Sequence, residues 1–272
     1  MSKPVIVCGA FDDLRAPRIR FLEEAARRGP LTVLLWADEL IGRRTGAAPR
    51  FPQAEREFVL RSIRFVDRVE LLEGGAEIES LPEKVARESG CWIVDSKQAS
   101  SAKAAYCAAR GIDYQVIGEE QLGGFPDNSP AAISGTRKRV IVTGCYDWLH
   151  SGHVRFFEEV SGYGDLYVVV GHDANVRLLK GEPHPMHSQQ ERRYAVASIR
   201  FVTQALISTG KGWLDAEPEI ERLRPEIYAV NADGDQGGKR EFCEQRGIQY
   251  LVLDREPAPG LPRRSSTELR GF

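Results

Sequence analysis

Residues 140–160 read VIVTGCYDWLHSGHVRFFEEV, and the layout of this stretch decides the fold. Val140, Ile141 and Val142 form the β-branched apolar run of a strand buried on both faces. Gly144 permits a turn. Val154, Phe156, Phe157 and Val160 then recur at helical spacing, so a helix starts close to His150. Strand, tight turn and helix N-terminus put His150 and His153, three residues apart, on one helix face. Gly152 between them leaves room for a ligand to approach the backbone. Backbone N–H groups at a helix start attract anions. The expected product is a phosphate site furnished with two imidazoles.

Outward from this stretch the chain repeats itself. VIVCGAFD at residues 5–12 parallels VIVTGCYD at 140–147, 135 residues on. Ser62-Ile63-Arg64-Phe65-Val66 parallels Ser198-Ile199-Arg200-Phe201-Val202, and the run from Cys107 to Tyr114 parallels that from Cys243 to Tyr250, 136 residues on. One period held across half of a 272-residue chain means two duplicated domains rather than a short solenoid unit. Each half alternates strand-like and helix-like segments. In the first, strands at 5–10, 31–37, 91–95 and 114–118 alternate with helices at 18–28, 53–65 and 101–110. In the second, YVVVGHD, IYAVNAD and YLVLD alternate with helices at 189–201 and 239–246. The expected fold is α/β: two tandem Rossmann-like parallel-sheet domains, spanning 1–130 and 137–272. The turn-rich, basic segment from Pro126 to Arg139 reads as the linker. Ligands of such sheets sit at the carboxyl ends of strands, where Gly144, His172, Asn231 and Asp254 fall.

The halves do not keep the same chemistry. All five histidines, His150, His153, His172, His184 and His187, lie in the second. Arg15, Pro17 and Arg18 stand where His150, Gly152 and His153 would be, and Asp127-Asn128-Ser129 stands where Arg263-Arg264-Ser265 would be. Imidazole chemistry near neutral pH is therefore confined to the second half, and the first reads as structural.

Composition excludes several classes. The net charge of −2 and the absence of a basic-aromatic stripe give no electrostatic reason to expect nucleic-acid binding. No apolar run reaches bilayer length and the N-terminus has no signal-peptide layout, so a cytoplasmic location is expected. The five cysteines (Cys8, Cys91, Cys107, Cys145, Cys243) are scattered without CxxC spacing. They read as reduced thiols, neither a disulfide framework nor a metal site.

Gly144-Cys145-Tyr146-Asp147-Trp148-Leu149-His150-Ser151-Gly152-His153 resembles the HxGH signature of the cytidylyltransferase-like nucleotidyltransferases. The resemblance covers both halves as a fold and the second as a site. It implies transfer of a nucleoside monophosphate from a nucleoside triphosphate to a small phosphorylated alcohol, sugar or phosphonate, with release of pyrophosphate and with Mg²⁺ carried by the nucleotide. It implies that His150, His153 and Lys180 are the catalytic groups. Lys180 lies on the segment 173–181, read as a loop after the second strand of its half. Gly144, Cys145, Tyr146, Asp147, Gly152, Asn231 and Asp233 are the implied substrate contacts. So is Arg200, with a role at the interface between the halves as its alternative.

Residues 261–270 resemble the family's late motif, an arginine followed by hydroxyl residues at a helix start, which assigns Arg264, Ser265, Ser266 and Thr267 to phosphate. Arg255, Arg263 and Arg264 compete for the arginine position. The run 198–202 and the Gly-Gly-Lys loop at 237–239 look most like glycerol-3-phosphate cytidylyltransferase, which favours CTP. Residues 173–181 are also similar to the adenylyltransferase that makes ADP-heptose, which keeps ATP as the alternative. A non-catalytic nucleotide sensor is the reading from a different class. Many relatives are homodimers, so the first half is expected to be an intrachain pseudo-dimer partner, with higher oligomers open.

Overall fold

The computed structural model describes residues 3–73, 77–127, 135–236, 238–254 and 256–265. The chain divides into two compact units, Met1–Gly124 and Phe125–Phe272. Each is a five-stranded, all-parallel sheet with helical connections.

The first unit runs β1 (Val5–Gly9), α1 (Ala16–Ala26), β2 (Leu31–Trp36), α2 (Asp38–Thr45), α3 (Gln53–Arg61), β3 (Arg68–Leu72), α4 (Glu83–Glu88), β4 (Cys91–Asp95), α5 (Ser101–Arg110) and β5 (Asp113–Ile117). Its strand order is β3-β2-β1-β4-β5. The second runs β6 (Arg139–Gly144), α6 (Ser151–Ser161), β7 (Asp165–Val170), α7 (Asp173–Lys180), α8 (Gln189–Ala197), β8 (Gln204–Ile207), α9 (Glu217–Leu223), β9 (Ile227–Asn231), α10 (Lys239–Gln245) and β10 (Gln249–Leu253). Its order, β8-β7-β6-β9-β10, is the same topology. The sequence periodicity leaves out β3 and β8. Both are short edge strands whose partial exposure removes the continuous apolar run of a central strand. By contrast β7 and β9 are buried along their whole length.

The segment 173–181 is a helix, not the expected loop. His172 caps it by accepting the Asn175 N–H, and Gly181, at φ 73°, ends it. Asn175, buried, then exchanges two side-chain hydrogen bonds with the backbone of Gly212.

At the junction, Phe125, Pro126 and Asp127 belong to the second unit. The Phe125 ring packs on Tyr194. Arg193 donates to the carbonyls of Phe125 and Pro126 and pairs with Asp127. Residues 128–134 of the expected linker lie outside the described residues.

The topology places a crevice in each sheet. Chain direction reverses about β6, whose neighbours β7 and β9 are reached in opposite senses, and ligands of doubly wound sheets bind at such a switch point. β6 and β9 pair over two residues, Val140 with Ile227 and Ile141 with Tyr228, and then separate. The first unit repeats this, β1 and β4 pairing only at Val5–Cys91 and Ile6–Trp92.

Candidate functional site

The crevice of the second unit is a cavity of about 170 Å³ at the carboxyl ends of β6 and β9. Thr143, Gly144, Cys145 and Tyr146 form one wall and Ala229, Val230 and Asn231 the other. His153, Lys180, His184, Asp233 and Lys239 are on its lining. The turn after β6 shapes it. Tyr146 adopts φ 53°, a left-handed conformation that a bulky residue rarely holds without support from its surroundings. Here the support is packing. Its ring lies over Gly144, where a Cβ would stand 2.7 Å from it, and meets Phe157 at 5.3 Å and His153 edge-on at 5.2 Å. In the first unit Phe11 repeats the conformation, at φ 47°, over Gly9.

Helix α6 carries the histidines. Val154, Phe157 and Val160 are fully buried and anchor its inner face, each contributing roughly 1.5–3 kcal/mol. His150 is the N-cap: its Nδ1 accepts the Gly152 N–H at 3.1 Å. An accepting Nδ1 puts the proton of the neutral ring on Nε2. His153 stacks on His150 with ring centroids 4.0 Å apart and 31° between planes. His153 is on the cavity wall, whereas His150, 3% exposed, lies behind it. A Cβ on Gly152 would meet the His150 ring at 3.0 Å and the Arg264 carbonyl at 3.3 Å. The close approach expected at Gly152 is thus taken up in part by the chain's own late segment. Of the arginines expected there, Arg264 comes against α6 and Arg263 is exposed, with Ser265 following Arg264. Arg255, Ser266 and Thr267 lie outside the described residues.

Three expectations change. Asp147 does not offer its carboxylate to a ligand. It accepts the N–H groups of Met186 and His187 and pairs with His184 at 3.1 Å. The first unit, without histidines, has the same clamp: Asp12 accepts the N–H groups of Arg50 and Phe51. A device kept where the imidazoles are gone is structural. Arg200 is not brought to the cavity either. It is exposed, in the turn that precedes the amino end of β8, at the opposite edge of the sheet from the strand ends that form the crevice. Lys180 does reach the cavity, but from the last turn of α7 and on an exposed side chain.

Burial alone would raise the pKa of Asp147. The hydrogen bonds from Met186, His184 and His187, with the nearby Arg192 charge, outweigh it and hold the group below the ordinary aspartate range. A depressed native pKa stabilises the fold above the unfolded value, roughly 3.9, and that contribution is lost as pH falls through the native value. Acid unfolding of wild type and Asp147→Asn checks this. The variant is expected to be less stable at neutral pH and to lose less on acidification below pH ~4. Parallel acid limbs in the two proteins would count against it.

Arg192 is the residue that the motifs leave unexplained. Its buried guanidinium donates to the carbonyls of His187, Cys145 and Gly171 and to the Asp173 carboxylate, tying β6, β7, α7 and the 182–187 loop together. Arg56 repeats every contact, on Phe51, Ala10, Trp36 and Asp38. Lys239 is likewise buried, donating to the Gly234 carbonyl. Burial lowers its pKa, opposed by Asp215, Asp235 and Cys243. Lys103 makes the equivalent bond to Gln98, so both lysines hold a loop. Its Glu-Arg and Gly-Lys contexts recur at the same period, which is the trace such residues leave in the sequence.

Asn231 is at the cavity as expected. It is 7% exposed, and its Oδ1 has no hydrogen-bond partner among the described residues. A buried acceptor left this way costs about 1–3 kcal/mol until a donor reaches it. The first unit has closed the same place. There Asp95 occupies the position of Asn231 and Arg18 that of His153, and the two are hydrogen-bonded to each other. Asp233 sits exposed on the cavity rim.

Residues 141–271, within this second unit, match the cytidylyltransferase-like family model. Over 119 residues the chain is 35% identical to a FAD synthase of Ferroglobus placidus, a match that takes in 43% of this chain and 74% of that protein. The chain belongs to the cytidylyltransferase-like family. It is also similar to the bifunctional protein HldE of Campylobacter curvus, at 36% identity over 100 residues, 36% of this chain and 21% of that one. To HldE of Geobacter sulfurreducens it is 35% identical over 121 residues, 43% of this chain and 24% of that one. This cytidylyltransferase-like chain thus spans most of the FAD synthase but a quarter or less of the HldE proteins. It is a nucleotidyltransferase by family, and no helix among the described residues is long and apolar enough to cross a membrane.

Proposed function

We propose that the second unit transfers the adenylyl group of ATP to a small phosphorylated acceptor and releases pyrophosphate. The observation that carries this is the crevice at the β6–β9 switch point, which gathers His153, Lys180 and the acceptor atom of Asn231. The acceptor's phosphate oxygen attacks the α-phosphorus, a new P–O–P linkage forms, and the bond between the α-phosphorus and the bridging oxygen to the β-phosphate breaks. That nucleophile is already anionic, so no general base is needed. Positioning and charge stabilisation supply the catalysis. His153, backed by His150, donates to the departing phosphates. Lys180, on its exposed side chain, follows their charge, and Arg264 at the start of α6 adds to it. Magnesium belongs to the nucleotide: among the described residues no three His, Cys, Asp or Glu are grouped to hold a metal ion. Asn231 would accept a hydrogen bond from the nucleotide or acceptor.

ATP is preferred to CTP because a FAD synthase, by its name, makes a dinucleotide whose second half is adenylate. CTP, which residues 198–202 favour, is the second reading, and the family's own designation supports it. Thermal unfolding in the presence of Mg²⁺ and ATP, CTP, GTP or UTP separates the two, since a ligand of the folded state raises its melting temperature. Stabilisation by ATP above the other three is the expected result. Stabilisation by CTP alone would move the assignment to a cytidylyltransferase.

A further inference from the structure

We propose that His184 is a third imidazole of the site, a positioning residue for the phosphates of the nucleotide. This rests on the nucleotidyltransferase reading and adds a residue that the signature does not contain. The segment between α7 and α8 crosses the mouth of the crevice, and His184 lines the same cavity as His153 and Lys180. Its Nδ1 lies 3.1 Å from Oδ2 of Asp147. A carboxylate at Nδ1 fixes the proton there, orients the ring and favours its cationic form, leaving Nε2 as the group available to a ligand.

The chain contains its own control. Asp12 in the first unit clamps the corresponding segment through the N–H groups of Arg50 and Phe51, as Asp147 does through those of Met186 and His187. Between the αL glycine that ends α2, Gly46, and Arg50, that segment reads Ala47-Ala48-Pro49. Between Gly181 and Met186 it reads Glu182-Pro183-His184-Pro185. The clamp is therefore built without an imidazole. The imidazole appears in the unit that also has His150 and His153, on the cavity wall. The two other histidines of that unit are absorbed locally: His172 caps α7 and bonds the Gly210 carbonyl, and His187 pairs with Glu191 one turn on. His184 faces the cavity instead, beside an exposed lysine, where charge-assisted hydrogen bonds to phosphate oxygens are expected.

The test uses the full chain, with ATP·Mg²⁺ as the probe ligand and CTP·Mg²⁺ beside it. Wild type, His184→Ala and His184→Gln are compared for unliganded melting temperature, for nucleotide-induced stabilisation, and for KM and kcat in pyrophosphate release. Because the clamp does not need the ring, His184→Ala should melt within a few degrees of wild type without ligand. Its KM for the nucleotide should rise about 10- to 100-fold, the value of a charge-assisted hydrogen bond, with a much smaller change in kcat. His184→Gln, which can place an amide N–H near the former Nε2, should recover part of the loss. An unchanged nucleotide KM and an unchanged ligand-induced shift in His184→Ala, with wild type active, would overturn this assignment alone. A wild type that neither binds a nucleoside triphosphate nor releases pyrophosphate would overturn it together with the nucleotidyltransferase reading.

Discussion

Replacing His153 by alanine is expected to lower kcat for pyrophosphate release by about 10²- to 10³-fold, the usual cost of removing one preorganised donor to developing charge. The reason is positional. The ring is held between the His150 face, 4.0 Å away, and the Tyr146 edge, and it is on the cavity wall. Since it is only partly buried, its loss should cost stability little, within ~1 kcal/mol. The melting temperature of the unliganded variant therefore separates lost chemistry from lost structure. Nucleotide binding should weaken less than turnover, because a donor to the leaving group acts mainly in the transition state. A variant with near-wild-type kcat would remove the imidazole from the mechanism.

The largest effect on stability is expected at Arg192. Arg192→Met leaves the carbonyls of Cys145, Gly171 and His187 without their shared donor and Asp173 without its cation, in a place where the guanidinium is almost wholly buried. Breaking such a buried network by removing one partner costs about 3–5 kcal/mol. Arg56→Met should do the same to the first unit. Each unit carries two tryptophans, Trp36 and Trp92 in the first and Trp148 and Trp213 in the second. Urea unfolding followed by fluorescence reads both. A loss below ~1 kcal/mol in both variants would mean that the repeated arginine is not what holds the strand ends together.

Much of this fold is legible in the sequence because its central strands are buried on both faces. VIVTG, DLYVVV and IYAVN are apolar without alternation, and helices with apolar 3-4 spacing follow them. The duplication is legible because loop and helix residues, not only core ones, keep the period. What is not legible is spatial. Residues 173–181 look like a loop because the helix they form is short and polar, closed by a histidine cap and a glycine whose roles depend on three-dimensional contacts. The motif shows that Asp147 matters but not whether it faces a ligand. The answer is visible only when Met186 and His187 are seen 39 and 40 residues away, and when Asp12 is seen doing the same. Arg200 looks like a site residue by its place in a motif, yet the sheet puts it at the wrong edge. His184 has no motif at all, and its relevance comes from the cavity. The closed state of the first unit is half-legible. The loss of both histidines is plain from the alignment of the halves, whereas the Arg18–Asp95 contact that fills the vacated place requires the fold.

The most direct test of the account is turnover itself. Pyrophosphate release from ATP and from CTP would be followed with Mg²⁺ and a panel of phosphorylated acceptors, flavin mononucleotide and sugar 1-phosphates among them, for wild type and His153→Ala. The account predicts release from ATP that requires one of the acceptors, yields an acceptor joined to adenylate through a new pyrophosphate bond, and falls by two orders of magnitude or more in the variant. Release that persists without His153, or a nucleotide found covalently attached to the protein, would contradict it.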